Sequence, residues 1–442
     1  MSNVYVYLVS IAAAISGLLF GFQIAIINGA VLFLRREFSL TDFQTEVAAS
    51  SLLAGCVAGT AVVGVLSDRF GRRRAFLISA WLFMLSAVGA AVPRGLGEFV
   101  AARFAGGVAI GLASVLAPLL IAEVAPARIR GRLVSMNQMA IVTGILLAFV
   151  AGWGLSSAGP SGWRWMFASA AAPAAAFLGA LYFLPESPRW LIQQGRVDEA
   201  LAVLTRVAGA QQARVEAAEI QRAVAEESGS VAQLFQPGRR RPLVIAVALA
   251  VLQQLTGMNT VFFYGSVLFQ EHMGSESASA AVGANVIIGG VNVAATLVAL
   301  WIIDKVGRRP LLMLSAAGMG LAQAVMGAAF LVEPRPVGLL MGAILVCVAC
   351  FAVGLGPGVW LLLSELFPTR IRGRAMSIAT VSLWIACAAL TLTFLSLVKA
   401  LTPSGAFWIY AAMCGITLVV VWRWTPETRG KTLEEIERSW AR

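Results

Sequence analysis

Asp68-Arg69-Phe70-Gly71-Arg72-Arg73 returns half a chain later as Asp304-Lys305-Val306-Gly307-Arg308-Arg309. Two further motifs recur in the same order. Glu123-Val124-Ala125-Pro126, followed by Arg130-Gly131-Arg132, has its counterpart in Glu365-Leu366-Phe367-Pro368, followed by Arg372-Gly373-Arg374. Pro185-Glu186-Ser187-Pro188-Arg189 has its counterpart in Pro426-Glu427-Thr428-Arg429-Gly430. One match would mean little, but three in register mean an internal duplication. The expected division is a first half over residues 1–184, a linker over 185–242, a second half over 243–424 and a tail over 425–442.

Between these motifs the chain is too apolar for water. Of its 442 residues, 59% are hydrophobic and 12% charged, and the mean hydropathy is +0.83. A water-soluble chain carries about 25% charged residues. Runs of about 20 apolar residues are long enough to cross the hydrocarbon layer as helices. Twelve such runs are present, over residues 4–34, 46–66, 75–92, 98–124, 133–155, 163–184, 243–269, 279–303, 310–332, 337–366, 375–397 and 405–424. The predicted fold is an all-α membrane protein with twelve transmembrane helices in two six-helix bundles. Helical spacing also predicts short linker helices over 197–205 and 213–225, and one in the tail over 433–440. The first run has no basic leader and is too long for the core of a secretion signal, so no cleaved signal is expected.

The formal net charge of +11 would fit a nucleic-acid partner if it lay on one surface. It is instead divided between loops. The linker and the loops on its side, with the tail, hold 26 of the 33 Lys and Arg residues. Six lie in the opposite loops, and Arg103 alone lies well inside an apolar run. That asymmetry is the positive-inside rule. It predicts a multi-pass protein with both termini in the cytoplasm, in the inner membrane if the cell is bacterial, and no nucleic-acid partner.

The five cysteines all fall in apolar runs, and the Cys347/Cys350 pair lies on one helix without a second pair. They read as small core residues rather than a metal or redox site. His272 lies in a loop. There is no phosphate-binding glycine loop and no partner set for a catalytic serine. No enzyme activity, cofactor or metal is expected.

Amides inside apolar helices are costly unless paired, so they mark a wet cavity or a ligand. Gln138 lies in the fifth run, Gln253, Gln254 and Asn259 in the seventh, and Asn292 in the eighth. Gly257 permits a helix break between Gln254 and Asn259. Amides donate and accept at once, which suits a hydroxyl-rich neutral solute. Trp360, Trp384, Phe262, Phe263 and Tyr264 add aromatic faces, and Gly354-Leu355-Gly356-Pro357-Gly358 predicts a bend ahead of Trp360. Asp68, Arg72, Glu123, Arg132 and Glu186, with Asp304, Arg308, Glu365, Arg374 and Glu427, stand at linker-side helix ends. Topology alone calls for no acids there. The set therefore reads as gate charges, paired in one state and released in another.

With these motifs together, the chain resembles the sugar porter family of the major facilitator superfamily over its whole length. The resemblance rests on the Asp68–Arg73 motif and its repeat, on Pro185-Glu186-Ser187-Pro188-Arg189-Trp190-Leu191, on Gln253-Gln254-Leu255-Thr256-Gly257-Met258-Asn259, and on the motif at Pro426. It implies that Gln138, Gln253, Gln254, Asn259, Asn292 and Trp360 bind a monosaccharide, and that Phe263 and Tyr264 form an outer gate. Leu383 stands where the family often has Asn or Gln, and Ala352 where some members have Glu. Proton-driven relatives carry an aspartate at the Gln23 position, facing the arginine that matches Arg103. Gln23 cannot titrate, and no other acid is expected deep in an apolar run.

The reading is a monomeric carrier of a hexose or pentose, working by alternating access in a lipid bilayer, with facilitated diffusion preferred. A proton-coupled symporter, a polyol carrier and a sugar receptor without transport are the alternatives. Short flanks around the first and last runs disfavour the receptor.

Overall fold

The computed structural model describes residues 2–124, 127–225, 240–272, 277–367 and 369–429. The side chains of Arg132, His272 and Asp304, and the tail helix expected over 433–440, lie outside the described residues. The first half contains α1 (Ser2–Glu37), α2 (Asp42–Phe70), α3 (Arg72–Ala91), α4 (Leu96–Val124), α5 (Ala127–Leu155), α6 (Gly162–Ala168) and α7 (Ala171–Tyr182). The linker holds α8 (Pro188–Gln193), α9 (Val197–Ala208) and α10 (Ala210–Ala225). The second half follows with α11 (Arg240–Leu255), α12 (Met258–Val267), α13 (Ala278–Val306), α14 (Arg308–Ala329), α15 (Val337–Val353), α16 (Leu355–Glu365) and α17 (Thr369–Trp424). Helices are what such a sequence must form, because hydrocarbon offers no partner to a free peptide group.

Eleven stretches among the described residues are long and apolar enough to cross a membrane. The last covers 52 residues, too many for one crossing. Its backbone leaves helical geometry at Thr402 (φ 64°, ψ 163°), next to Pro403, so it makes two crossings. Twelve crossings result, as the sequence predicts. α6 with α7, α11 with α12 and α15 with α16 each form one broken crossing.

Close packing holds each half together, since helices in lipid gain from contact rather than from escaping water. α1 lies against α5 and α2 against α4. A Cβ at Gly21 would stand 1.9 Å from the Ile141 carbonyl, and one at Gly107 1.8 Å from that of Leu52. Larger residues would push these pairs apart.

The linker has a small core of its own, built from Trp190, Leu191, Ile192, Ala200, Leu204, Ala213 and Ala217. Ser187 caps α8 by accepting from Trp190 N at 3.3 Å. The Trp190 indole donates to Asp68 O at 2.9 Å and fastens this core to the first half.

One boundary corrects the sequence reading. The second run was expected to begin at residue 46, but α2 begins at Asp42. Thr41 and Gln44 form a reciprocal capping box, with Thr41 Oγ1 accepting from Gln44 N at 3.2 Å and Gln44 Oε1 from Thr41 N at 3.0 Å. That extra turn carries Glu46 inside the helix, where it is 0% exposed. The expectation that no acid is buried in an apolar run fails there.

Candidate functional site

The seventh crossing breaks where the sequence places Gly257. That glycine has φ +79°, and a Cβ on it would stand 2.5 Å from the Tyr410 ring, so only glycine fits. The peptide groups freed by the break find side chains. Thr256 Oγ1 donates to Gln253 O at 2.7 Å, and Gln323 Nε2 donates to Thr256 O at 2.7 Å.

The break turns a file of amides toward the other elements of this half. Gln253 Nε2 donates to Leu355 O at 2.6 Å and Gly356 O at 3.3 Å, in the first turn of α16. Gln254 Nε2 donates to Gln253 Oε1 at 3.3 Å. Asn259 Nδ2 donates to Gln254 Oε1 and, at 3.2 Å, to Cys387 Sγ on α17. The tenth crossing also breaks as predicted, at Gly354 between α15 and α16. Trp360 follows Gly356 by one turn and is half-buried.

Trp384 lies one turn before Cys387 and meets Phe20 of the first half at 5.7 Å between centroids. It is 3% exposed, and its indole N–H has no partner among the described residues. Asn292 is buried and Gln138 half-buried. Neither side chain has a hydrogen-bond partner among the described residues, so the structure does not tie them to the amide file. Free donors and acceptors beside aromatic faces match a compact polyhydroxylated solute.

Gln23 and Arg103 meet as the sequence implies. Arg103 Nη1 donates to Gln23 Oε1 at 3.0 Å and Nη2 to Gln23 O at 2.9 Å. The guanidinium lies 5.4 Å from the Phe167 ring centroid. No carboxylate pairs with it among the described residues.

The repeated charges pair within each half. Arg72 bridges Glu123 at 3.1 Å and Asp68 at 3.4 Å, and Arg308 bridges Glu365 at 3.1 Å. Glu365 also accepts from Thr428 Oγ1. Glu186 and Glu427 instead cap helices. Glu186 Oε1 accepts from Arg72 N at 2.7 Å and Arg73 N at 3.2 Å, at the start of α3. Glu427 accepts from Arg308 N at 3.1 Å and Arg309 N at 3.0 Å, at the start of α14. Burial opposes charge on Glu427, but the backbone N–H groups of Arg429, Arg308 and Arg309 outweigh it and lower its pKa. Arg374 is exposed.

On the side away from the linker, polar groups join the two halves. Asn28 Nδ2 donates at 3.1 Å to Val261 O, Phe262 O and Asn285 Oδ1, while Asn28 Oδ1 accepts from Ser266 N at 2.9 Å. Phe263 and Tyr264 are fully buried beside this clasp, with Tyr264 Oη donating to Thr391 O at 2.8 Å. Glu46 Oε1 accepts from Ser396 N and Oε2 from Ser396 Oγ, both at 2.7 Å. Arg35 pairs with Glu271 at 2.6 Å. Sequence reasoning singled out neither Asn28, Asn285 nor Ser396. The Thr41–Gln44 spacing was the available signal for Glu46.

The description "Sugar (and other) transporter" matches residues 9–440. The chain is 38% identical over 478 residues to the D-xylose-proton symporter of Escherichia coli (strain K12), covering 99% of this chain and 96% of that one. It is 37% identical over 443 residues to the arabinose-proton symporter of Bacillus subtilis (strain 168), covering 99% and 95%. The fold superposes with a TM-score of 0.86 on the proton:xylose symporter XylE bound to 6-bromo-6-deoxy-D-glucose, at 36% identity over all of both chains.

Proposed function

The chain belongs to the sugar transporter family of the major facilitator superfamily, a family of membrane carriers rather than enzymes, and from that premise we propose that it moves a neutral monosaccharide across the bilayer by alternating access. The observation that carries this reading is the amide file Gln253–Gln254–Asn259 at the Gly257 break, with the unpartnered Trp384 indole on the neighbouring helix. Gln138, Asn292 and Trp360 complete the proposed sugar site. The solute is a hexose or pentose, in keeping with the xylose and arabinose named for the relatives.

The two halves, residues 1–184 and 243–424, act as the rocking units on either side of that site. The distribution of basic residues supports a cytoplasmic linker side. Polar bonds between the halves on the opposite side support an inward-facing reading of this form. In the outward form, the linker-side charges Asp68, Arg72, Glu123 and Arg132 draw together with Asp304, Arg308, Glu365 and Arg374.

Transport is facilitated diffusion, because Gln23 offers Arg103 an uncharged partner that cannot take or release a proton. Proton symport is the second reading. It is favoured by the names of the relatives and by the buried carboxylate of Glu46. Counterflow of labelled hexoses, pentoses and polyols in liposomes tests the substrate class. Repeating it with an imposed pH gradient separates the two readings: uniport ignores the gradient, whereas sugar-driven proton uptake by the unmodified protein establishes symport.

A further inference from the structure

We propose that Glu46 is a positioning residue that latches the far end of the transporter, bonded when that end is shut and freed when it opens. The inference rests on the alternating-access reading. Glu46 is 0% exposed. A carboxylate withdrawn from water is costly unless its lone pairs are met. Here a single residue of the other half meets both oxygens: Ser396 gives its backbone N–H to Oε1 and its hydroxyl to Oε2. Both bonds cross between the halves, from α2 to α17, so parting the halves at this end breaks both together. A group bonded in one state and hydrated in the other contributes directly to the balance between them.

The surroundings concentrate that contribution on Glu46. Tyr264 lies within electrostatic reach of it. Around it lies a ring of partly exposed charges, Arg35 with Asp42 and Glu271, and Lys399 with Asp42. Exposed pairs are screened by water and add little each. An open hollow lined by Thr41, Asp42, Phe43, Ser396 and Lys399 brings solvent to this rim. Ser396 is itself exposed and borders that hollow, so solvent is at hand to replace it at the buried Glu46 when the halves part.

Val282 provides a reporter. It is 1% exposed, and its Cγ1 lies against Gly29 and Gly152 of the first half on this same side. In a background lacking the five native cysteines, Val282→Cys is labelled with a membrane-impermeant thiol reagent added from the far side. Glu46→Ala is expected to speed labelling about tenfold, and Glu46→Gln and Ser396→Ala about threefold each, by loosening charge-assisted bonds. Ser396→Ala keeps the carboxylate and covers the case in which Glu46→Ala fails to fold. Because the two residues act through one contact, combining Glu46→Gln with Ser396→Ala should give less than the product of the single effects. Unchanged labelling in Glu46→Gln, or a double variant that equals that product, overturns the latch. The measurement needs no sugar, so a failure of sugar flux in the unmodified protein would sink the transport reading separately.

Discussion

Arg103 directs both terminal nitrogens of its guanidinium at a single residue, Gln23, one to the side chain at 3.0 Å and one to the main chain at 2.9 Å. The second bond does not depend on which side chain stands at position 23. Substitution there changes the charge balance around Arg103 while leaving the arginine in place.

Gln23→Asp should therefore put a titrating acid against a buried cation and make sugar binding pH-dependent, without by itself coupling transport to protons. The unmodified protein should bind sugar with little pH dependence across the neutral range. Isothermal titration at several pH values reads both, and equal pH slopes for the two proteins would remove Gln23 from the coupling argument. Gln23→Ala leaves one guanidinium donor unmet and should cost about 1–3 kcal/mol of stability.

The amide file predicts where affinity is lost. Gln254→Ala and Asn259→Ala should each weaken sugar binding by about 1–3 kcal/mol, the cost of leaving buried polar partners unmatched. Equilibrium binding to the purified variants checks this. Unchanged affinity in both would move the site elsewhere.

Gly257→Ala tests the break itself. A Cβ there meets the Tyr410 ring and is held in the left-handed region, which alone costs about 1–2 kcal/mol. The expected result is a lower melting temperature and impaired sugar flux. Tyr410→Ala in the same chain should recover part of the stability by removing the collision, though not the backbone strain.

Glu427 gives a pH prediction. Its folded pKa is lowered. The stability it contributes is therefore fully present above the ordinary carboxylate value of about 4.3, and is lost as pH falls through the lowered folded value. Glu427→Gln should melt below the unmodified protein at neutral pH, and the gap should close on strong acidification. A gap independent of pH would mean that the carboxylate's charge is irrelevant to the cap.

The repeat made most of this architecture legible. Twelve apolar runs and three duplicated motifs define the crossings, and Gly257 and the glycines around Pro357 mark two broken helices. Interactions over long separations were not legible. Nothing local says that Glu46 will find Ser396, or that Asn28 will find two carbonyls of α12, because those meetings depend on how the halves face each other. Glu186 and Glu427 fall between these cases. Their recurrence was visible, but their choice of backbone N–H groups over arginine side chains depends on where α3 and α14 begin. The helix start at Asp42 was available in the Thr41–Gln44 spacing and puts Glu46 on α2, but its burial comes from packing against other helices.

Asn28 clasps α12 almost wholly by its main chain, through Val261 O, Phe262 O and Ser266 N. Such a grip is indifferent to the identity of the side chains along that helix. The residues facing the proposed sugar path can then vary from one descendant of this fold to another, changing what is carried, while closure on the far side stays as it is. Selectivity and sealing are thus separable traits, open to independent drift and to independent engineering.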